Sequence, residues 1–289
     1  MREVNISQLW GRAWYLFKVN WLLFAGLYVL LVIVTFISIN ALIFGLILSI
    51  FTRILSPFFI VGLIGFLIVQ LILTPAFVRA GYLVARKGQS SFGEAFGDLS
   101  LLLKVFVYDL ILRLIPGILI GMGVYRVLES VVNILAATPP ETEKDYGAMI
   151  VSMVLGGTGG VLIGAGLVIF FILYLFGWAG PYAILSGRAG IFGAIGQSFS
   201  LTAQNFGKVF LALLSYIGLL IFVPISGRVV SLQWFYIVWI LMGYLIVLPM
   251  GFVFLPLLYL ALTGEEGVPH SQRLRIGCGP PWCSYSLGS

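Results

Sequence analysis

Apolar residues run through this chain in long blocks, and the blocks come in pairs. A membrane-crossing helix takes ~20 mostly apolar residues, and six stretches meet that demand: 21–40, 58–78, 105–124, 149–176, 209–225 and 234–260. The first block stays apolar as far as Phe51. At ~1.5 Å per residue that is too long for one span without strong tilt, so 41–51 reads either as a tilted extension or as a helix at the interface.

Each pair of blocks follows a short aromatic and basic leader: 6–20, 90–100 and 191–205. In the first, Ile6, Leu9, Trp10, Ala13, Trp14 and Phe17 keep the three-four spacing of an amphipathic helix, and Phe192, Ile195, Phe199 and Phe206 do so in the third. Such helices are expected in the headgroup plane, with Arg12 and Lys18 near lipid phosphates. The leaders also align with one another. Ile6, Gly11, Leu16 and Asn20 match Ile191, Gly196, Leu201 and Asn205, while Tyr82, Phe92, Gly93 and Ser100 match Tyr182, Phe192, Gly193 and Ser200. Weak internal symmetry of this kind is common in membrane folds. The predicted fold is therefore all-α: a polytopic transmembrane bundle of six spans over 1–262. Its three repeats, 5–80, 81–180 and 181–262, are each an interfacial helix followed by a helical hairpin. Residues 263–289 turn abruptly to Gly, Pro, Ser and basic residues and read as a disordered tail.

Composition agrees with lipid as the solvent. Of 289 residues, 61% are hydrophobic and 9% charged, against about 25% charged in an ordinary soluble domain. The net charge of +6 does not point to nucleic acid, because the basic residues sit at span ends. Arg2, Arg12, Lys18, Arg79, Arg86, Lys87, Lys104, Arg188, Lys208, Arg273 and Arg275 fall on one side, and Arg53, Arg126, Lys144 and Arg228 on the other. The positive-inside rule then puts both termini in the cytoplasm of a multi-pass cell-membrane protein. The expected partner is a bilayer with anionic headgroups at that face. With Arg2, Glu3, Arg12 and Lys18 among them, the first twenty residues do not read as a cleavable signal.

The chemical inventory is thin. His270 is the single histidine, so a histidine-based metal site is excluded and a Ser/His/Asp triad is not supported. Cys278 and Cys283, both in the tail, provide neither a disulfide framework nor a four-ligand zinc site. The run Gly156-Gly157-Thr158-Gly159-Gly160 lacks the Lys-Ser/Thr ending of a phosphate loop. No catalytic residue, cofactor or metal is expected. The glycines read better as packing: Ser152, Gly156, Gly160 and Gly164 recur every four residues on one face of the fourth span, where small residues admit a neighbouring helix in lipid. Two polar sites remain. Asp109 and Arg113 lie four apart in the third span and can pair, with Pro116 freeing a carbonyl within reach of Arg113. Gln70, with Thr74 and Pro75, is expected to clamp two spans by hydrogen bonding.

The phrases LWGRAWYLFKVNW (9–21) and PYAILSGRAGIFGAIGQSFSLTAQNFGKVF (181–210) resemble the six-helix membrane-anchoring domain of glycerophosphodiester phosphodiesterases and related bacterial and archaeal integral membrane proteins. The resemblance implies an all-helical membrane domain and brings no catalytic residues, because that family's chemistry lies in a separate soluble barrel. The expected function is a non-enzymatic anchor or scaffold. The alternative is a transporter or exporter of a small solute or lipid that uses Asp109 and Arg113.

Overall fold

The computed structural model describes residues 5–52, 56–137, 157–227 and 233–265, and among these every regular element is helical. In chain order the helices are α1 (Ile6–Val19), α2 (Trp21–Thr52), α3 (Pro57–Ile68), a π-helical turn (Val69–Leu73), α4 (Thr74–Lys87), α5 (Phe92–Phe96), α6 (Leu99–Ala137), α7 (Thr158–Gly177), α8 (Gly180–Leu185), α9 (Ile191–Gln204), α10 (Phe206–Gly227) and α11 (Gln233–Thr263). Among the described residues six stretches are long and apolar enough to cross a membrane: Trp21–Gly45, Pro57–Lys87, Leu99–Val127, Thr158–Leu185, Phe206–Gly227 and Trp239–Thr263. The chain is an all-α, multi-pass integral membrane protein.

Several boundaries differ from the sequence reading, each for a local reason. Residues 41–51 continue α2 without a break, giving a helix of 32 residues; at ~1.5 Å per residue it is about 48 Å long and overruns the hydrocarbon core. The second span does not end at 78 but continues through α4 to Lys87. Pro75 has no N–H, and its ring excludes the carbonyl four residues back. The helix widens to accommodate it, so both the N–H and the hydroxyl of Thr74 turn to the Val69 carbonyl, the latter at 3.0 Å. The second leader is a single turn, α5, rather than a long amphipathic helix. It opens on a reciprocal cap, Glu94 N to Ser91 Oγ at 3.3 Å and Ser91 N to Glu94 Oε2 at 3.1 Å. Asp98 then starts α6 by accepting from Leu101 N at 3.1 Å. The Ser91 N–H and, after it, Lys87 hold the Glu94 carboxyl below the usual carboxylate range. The fourth span begins at Thr158 in the described residues; 138–156 lie outside them, as do most of the tail with His270, Cys278 and Cys283.

Each leader joins the first helix of a hairpin at one end of the molecule, and α4, α8 and α11 finish at that same end. The large buried side chains gather there: Leu9, Leu16 and Phe17 of α1, Phe24 of α2, Phe77 and Tyr82 of α4, Tyr108 of α6, Tyr182 of α8, and Phe254, Leu258 and Tyr259 of α11. Trp10 stacks on Phe254 at 3.9 Å and donates its Nε1–H to Ser215 Oγ at 3.0 Å. The first leader is thus part of the core, with Trp14 and Tyr15 left on its outer side. The third leader turns inward its small and polar face, Ala194, Ser198 and Thr202, leaving Phe192 79% exposed. That choice follows from the break between α7 and α8. Pro181 cannot donate to the Gly177 carbonyl, which accepts from Tyr108 Oη at 2.6 Å instead. Ser198 Oγ donates to the Phe176 carbonyl at 2.7 Å and accepts from Ala179 N at 3.1 Å, while Thr202 takes the Trp178 Nε1–H at 3.0 Å.

Away from the leaders, packing changes character. Lipid tails are as apolar as leucine, so close approach of small residues replaces hydrophobic drive. In the first hairpin Gly62 and Gly65 face Ser38 and Leu42; in the second Gly123 faces Gly159 and Ile163, and Gly166 faces Ile120; in the third Gly243 faces Val223. These are contacts within hairpins. In consequence only 17 to 28% of the apolar window is buried in the first five spans, against 56% in the sixth.

Candidate functional site

The intramembrane polar site begins with α6. Arg113 is the middle residue of the span Leu99–Val127. Its Nε–H donates to Asp109 Oδ1 at 2.9 Å and lies 2.8 Å from Oδ2, one helical turn back. The two charges are thereby satisfied on a single helix. Arg113 makes no hydrogen bond to the carbonyl freed by Pro116 among the described residues, because its guanidinium is turned toward Asp109. The pair is not sealed inside the bundle: the side chains are 47% and 35% exposed. Tyr174 of α7, itself partly exposed, is close enough for both charges to be felt at its hydroxyl.

Gln70 lies in the π turn, half-buried, and this turn packs against α6. The expected clamp between spans is not formed. Thr74 spends its hydroxyl on its own helix, and Gln70 makes no hydrogen bond among the described residues. The predicted glycine stripe is also displaced. Gly164 is exposed, with nothing within 4 Å of where its Cβ would stand, whereas Gly159 and Gly166 meet α6. Gly160 is half-buried, and Ser152 and Gly156 lie outside the described residues. Spacing by four misses the contact because α7 meets α6 along the 159–163–166 line, which alternates steps of four and three.

A second polar grouping lies at the leader end, apart from the predicted polar site of Asp109, Arg113 and Gln70. Tyr82, Tyr182 and Tyr259 come from α4, α8 and α11, one from each hairpin, and meet with ring centroids 6.4 and 5.9 Å apart. Each stands five or six residues before a glycine with positive φ: Gly88 (89°), Gly187 (76°) and Gly264 (72°). Left-handed glycines end helices by satisfying their last carbonyls, here with Gly88 N to Val84 O at 2.9 Å and Arg188 N to Ala183 O at 3.2 Å. The signal for this hub was present as the match of Tyr82 to Tyr182. Its third member, Tyr259, had no match in that alignment.

Comparison with protein-family models, with curated proteins and with solved structures gives no match.

Proposed function

We propose that this chain is a non-enzymatic integral membrane protein that anchors or organises other components at the bilayer. A rigid hub at the leader end plants three hairpins in lipid. The observation that carries this reading is the one-sided distribution of packing: large buried side chains unite the hairpins at the leader end, while the apolar stretches of the first five spans stay mostly open. A solute path needs walls contributed by several spans. Far from the hub, α3 shows Phe58, Val61, Ile64 and Leu67 to its surroundings and meets α2 through glycines. Open apolar faces of this kind suit association with lipid and with other membrane helices. The resemblance of 9–21 and 181–210 to a membrane-anchoring domain supports the same reading.

A transporter of a small solute or lipid is the second reading, favoured by Arg113. An ionisable side chain at mid-membrane costs ~3 kcal/mol on insertion scales and is a default pointer to function; here it is half-exposed. Paired substitution separates the two. Replacing both Asp109 and Arg113 by Leu removes charge without leaving an orphan, a change that is often neutral or stabilising by about 1–4 kcal/mol for a buried pair. Arg113→Leu alone strands Asp109 and is expected to lower stability by ~3 kcal/mol. Thermal unfolding of the purified protein in detergent, with complementation of a deletion strain, reads both. The anchor reading expects the double variant to fold and to complement fully. Loss of complementation by a normally folded double variant would establish the transporter instead.

We infer by the positive-inside rule that both termini lie on the cytoplasmic side of a cell membrane, next to anionic headgroups; the basic residues Arg86, Lys87, Arg188 and Lys208 at the span ends on the leader side support this reading. A membrane-impermeant maleimide applied to whole cells is expected to label Lys144→Cys and to spare Lys87→Cys. The reverse pattern would invert the topology.

A further inference from the structure

The tyrosine hub holds a negative charge supplied by the residue that follows the turn after α11. After α11, Gly264 turns the backbone through its left-handed φ of 72°, and Glu265 swings back toward the hub. Its side chain is only 15% exposed, and its Oε1 lies 2.9 Å from Arg188 Nε. The two form an ion pair but are not aligned for a hydrogen bond, so among the described residues this buried oxygen has a cation beside it and no hydrogen-bond donor. Beside it the Tyr82 hydroxyl is also buried; the Arg86 side chain comes within its reach, but no hydrogen bond of good geometry closes there among the described residues. The charges of Glu265 and of Arg86, one turn beyond Tyr82, both reach that hydroxyl, and Glu265 and Arg188 both reach Tyr259. Tyr259 Oη lies 3.4 Å from Ser186 Oγ, whose own proton is given to the Ala183 carbonyl at 3.0 Å.

A buried donor and a buried acceptor left unmatched cost ~1–3 kcal/mol each, so the carboxylate is an imperfect occupant. Glu265 pairs with Arg188 alone and makes no hydrogen bond to Tyr82 or Arg86 among the described residues. A phosphate offers more oxygens in a tetrahedral array, and guanidinium groups bind it with charge-assisted hydrogen bonds. We propose that the hub lined by Tyr82, Arg86, Ser186, Arg188 and Tyr259 is a binding site for a phosphate group, and that Glu265 fills it as an internal competitor. Gly264 is the hinge on which Glu265 leaves. The helix behind it stays anchored by Thr263 Oγ1, which donates to the Tyr259 carbonyl at 2.9 Å.

The phosphate can come from a lipid headgroup or from solution, and the experiment separates the two. The full chain is purified in a maltoside detergent, which carries no phosphate, and titrated with inorganic phosphate or with phosphatidylglycerol, and its unfolding temperature is followed. Glu265→Gln is expected to bind about tenfold more tightly than the wild type, because the competing closed state no longer reduces the apparent affinity. Adding Arg188→Gln or Tyr82→Phe should remove the gain. A gain with inorganic phosphate assigns a soluble phosphate, and a gain confined to phosphatidylglycerol assigns a headgroup. No gain in a Glu265→Gln chain whose near-UV circular dichroism matches the wild type overturns the proposal, as does a gain that survives Arg188→Gln. Should Glu265→Gln fail to fold, the unmodified chain still decides: phosphate or phosphatidylglycerol must raise its unfolding temperature more than that of Arg188→Gln, and equal shifts overturn the site.

Discussion

Gly81→Ala is expected to separate two hairpins that the rest of the hub holds together. Gly81 lies on α4 where it crosses α11, and a Cβ built there falls on the Phe252 carbonyl. That obstacle is backbone inside a continuous helix, so no rotamer change relieves it. The helices must move apart, and with them Phe77, which packs on Phe252 at 4.5 Å. Forcing bulk into a packed interior costs typically ~1–3 kcal/mol, and a clash with backbone belongs at the upper end. The expected result is a clear fall in the unfolding temperature of the purified protein and loss of the α4–α11 contact, read by disulfide trapping between cysteines placed on the two helices. Gly164→Ala is the control. Its Cβ meets nothing within 4 Å, and alanine is favoured over glycine inside a helix by roughly 0.5–1 kcal/mol, so stability should hold or rise. Equal unfolding temperatures for the two variants would refute the account of the crossing.

The contrast between these glycines shows how much of the molecule was legible beforehand. Span number, helical class and the pairing of helices into hairpins follow from hydropathy and length, because lipid permits few other structures for such sequence. Which glycines make contact does not follow. In a span whose every side is apolar, no polar face marks the outside, so Gly159 and Gly166 cannot be told from Gly160 and Gly164 by period alone. Asp109 and Arg113 were recognisable as a pair because spacing by four fixes their geometry regardless of the fold. The tyrosine hub was not, since it joins residues from three hairpins and Glu265 reaches it only through the turn at Gly264. The leaders fall between these cases. Their aromatic stripes are plain in the sequence, yet the inward face of the third is set by Ser198 and Thr202, whose partners exist only because Pro181 breaks the preceding helix.

The last prediction tests whether equivalent repeat positions do equivalent structural tasks. Asn20 and Asn205 close their leaders in the same way, with the side-chain Nδ2–H donating to the carbonyl four residues back, Leu16 at 2.9 Å and Leu201 at 3.1 Å. Asn20 goes further: its second amide proton goes to the Gly88 carbonyl at 2.9 Å and its Oδ1 accepts from Ser90 N at 3.3 Å. It thus ties the first leader to the turn that ends α4, and it is only 7% exposed where Asn205 is half-buried. Asn20→Ala leaves a carbonyl and an N–H without partners at the hub, each worth ~1–3 kcal/mol when buried, so a loss of ~3 kcal/mol is expected. Asn205→Ala removes one local bond near solvent and is expected to cost ~1 kcal/mol. Asn20→Asp keeps the acceptor for Ser90 and loses the donor to Gly88, so its unfolding temperature should fall between wild type and Asn20→Ala. If Asn20→Ala and Asn205→Ala are equally mild, the cross-hairpin bonds contribute nothing. The repeat would then be held by packing alone, with Gly88 needed only to end its helix.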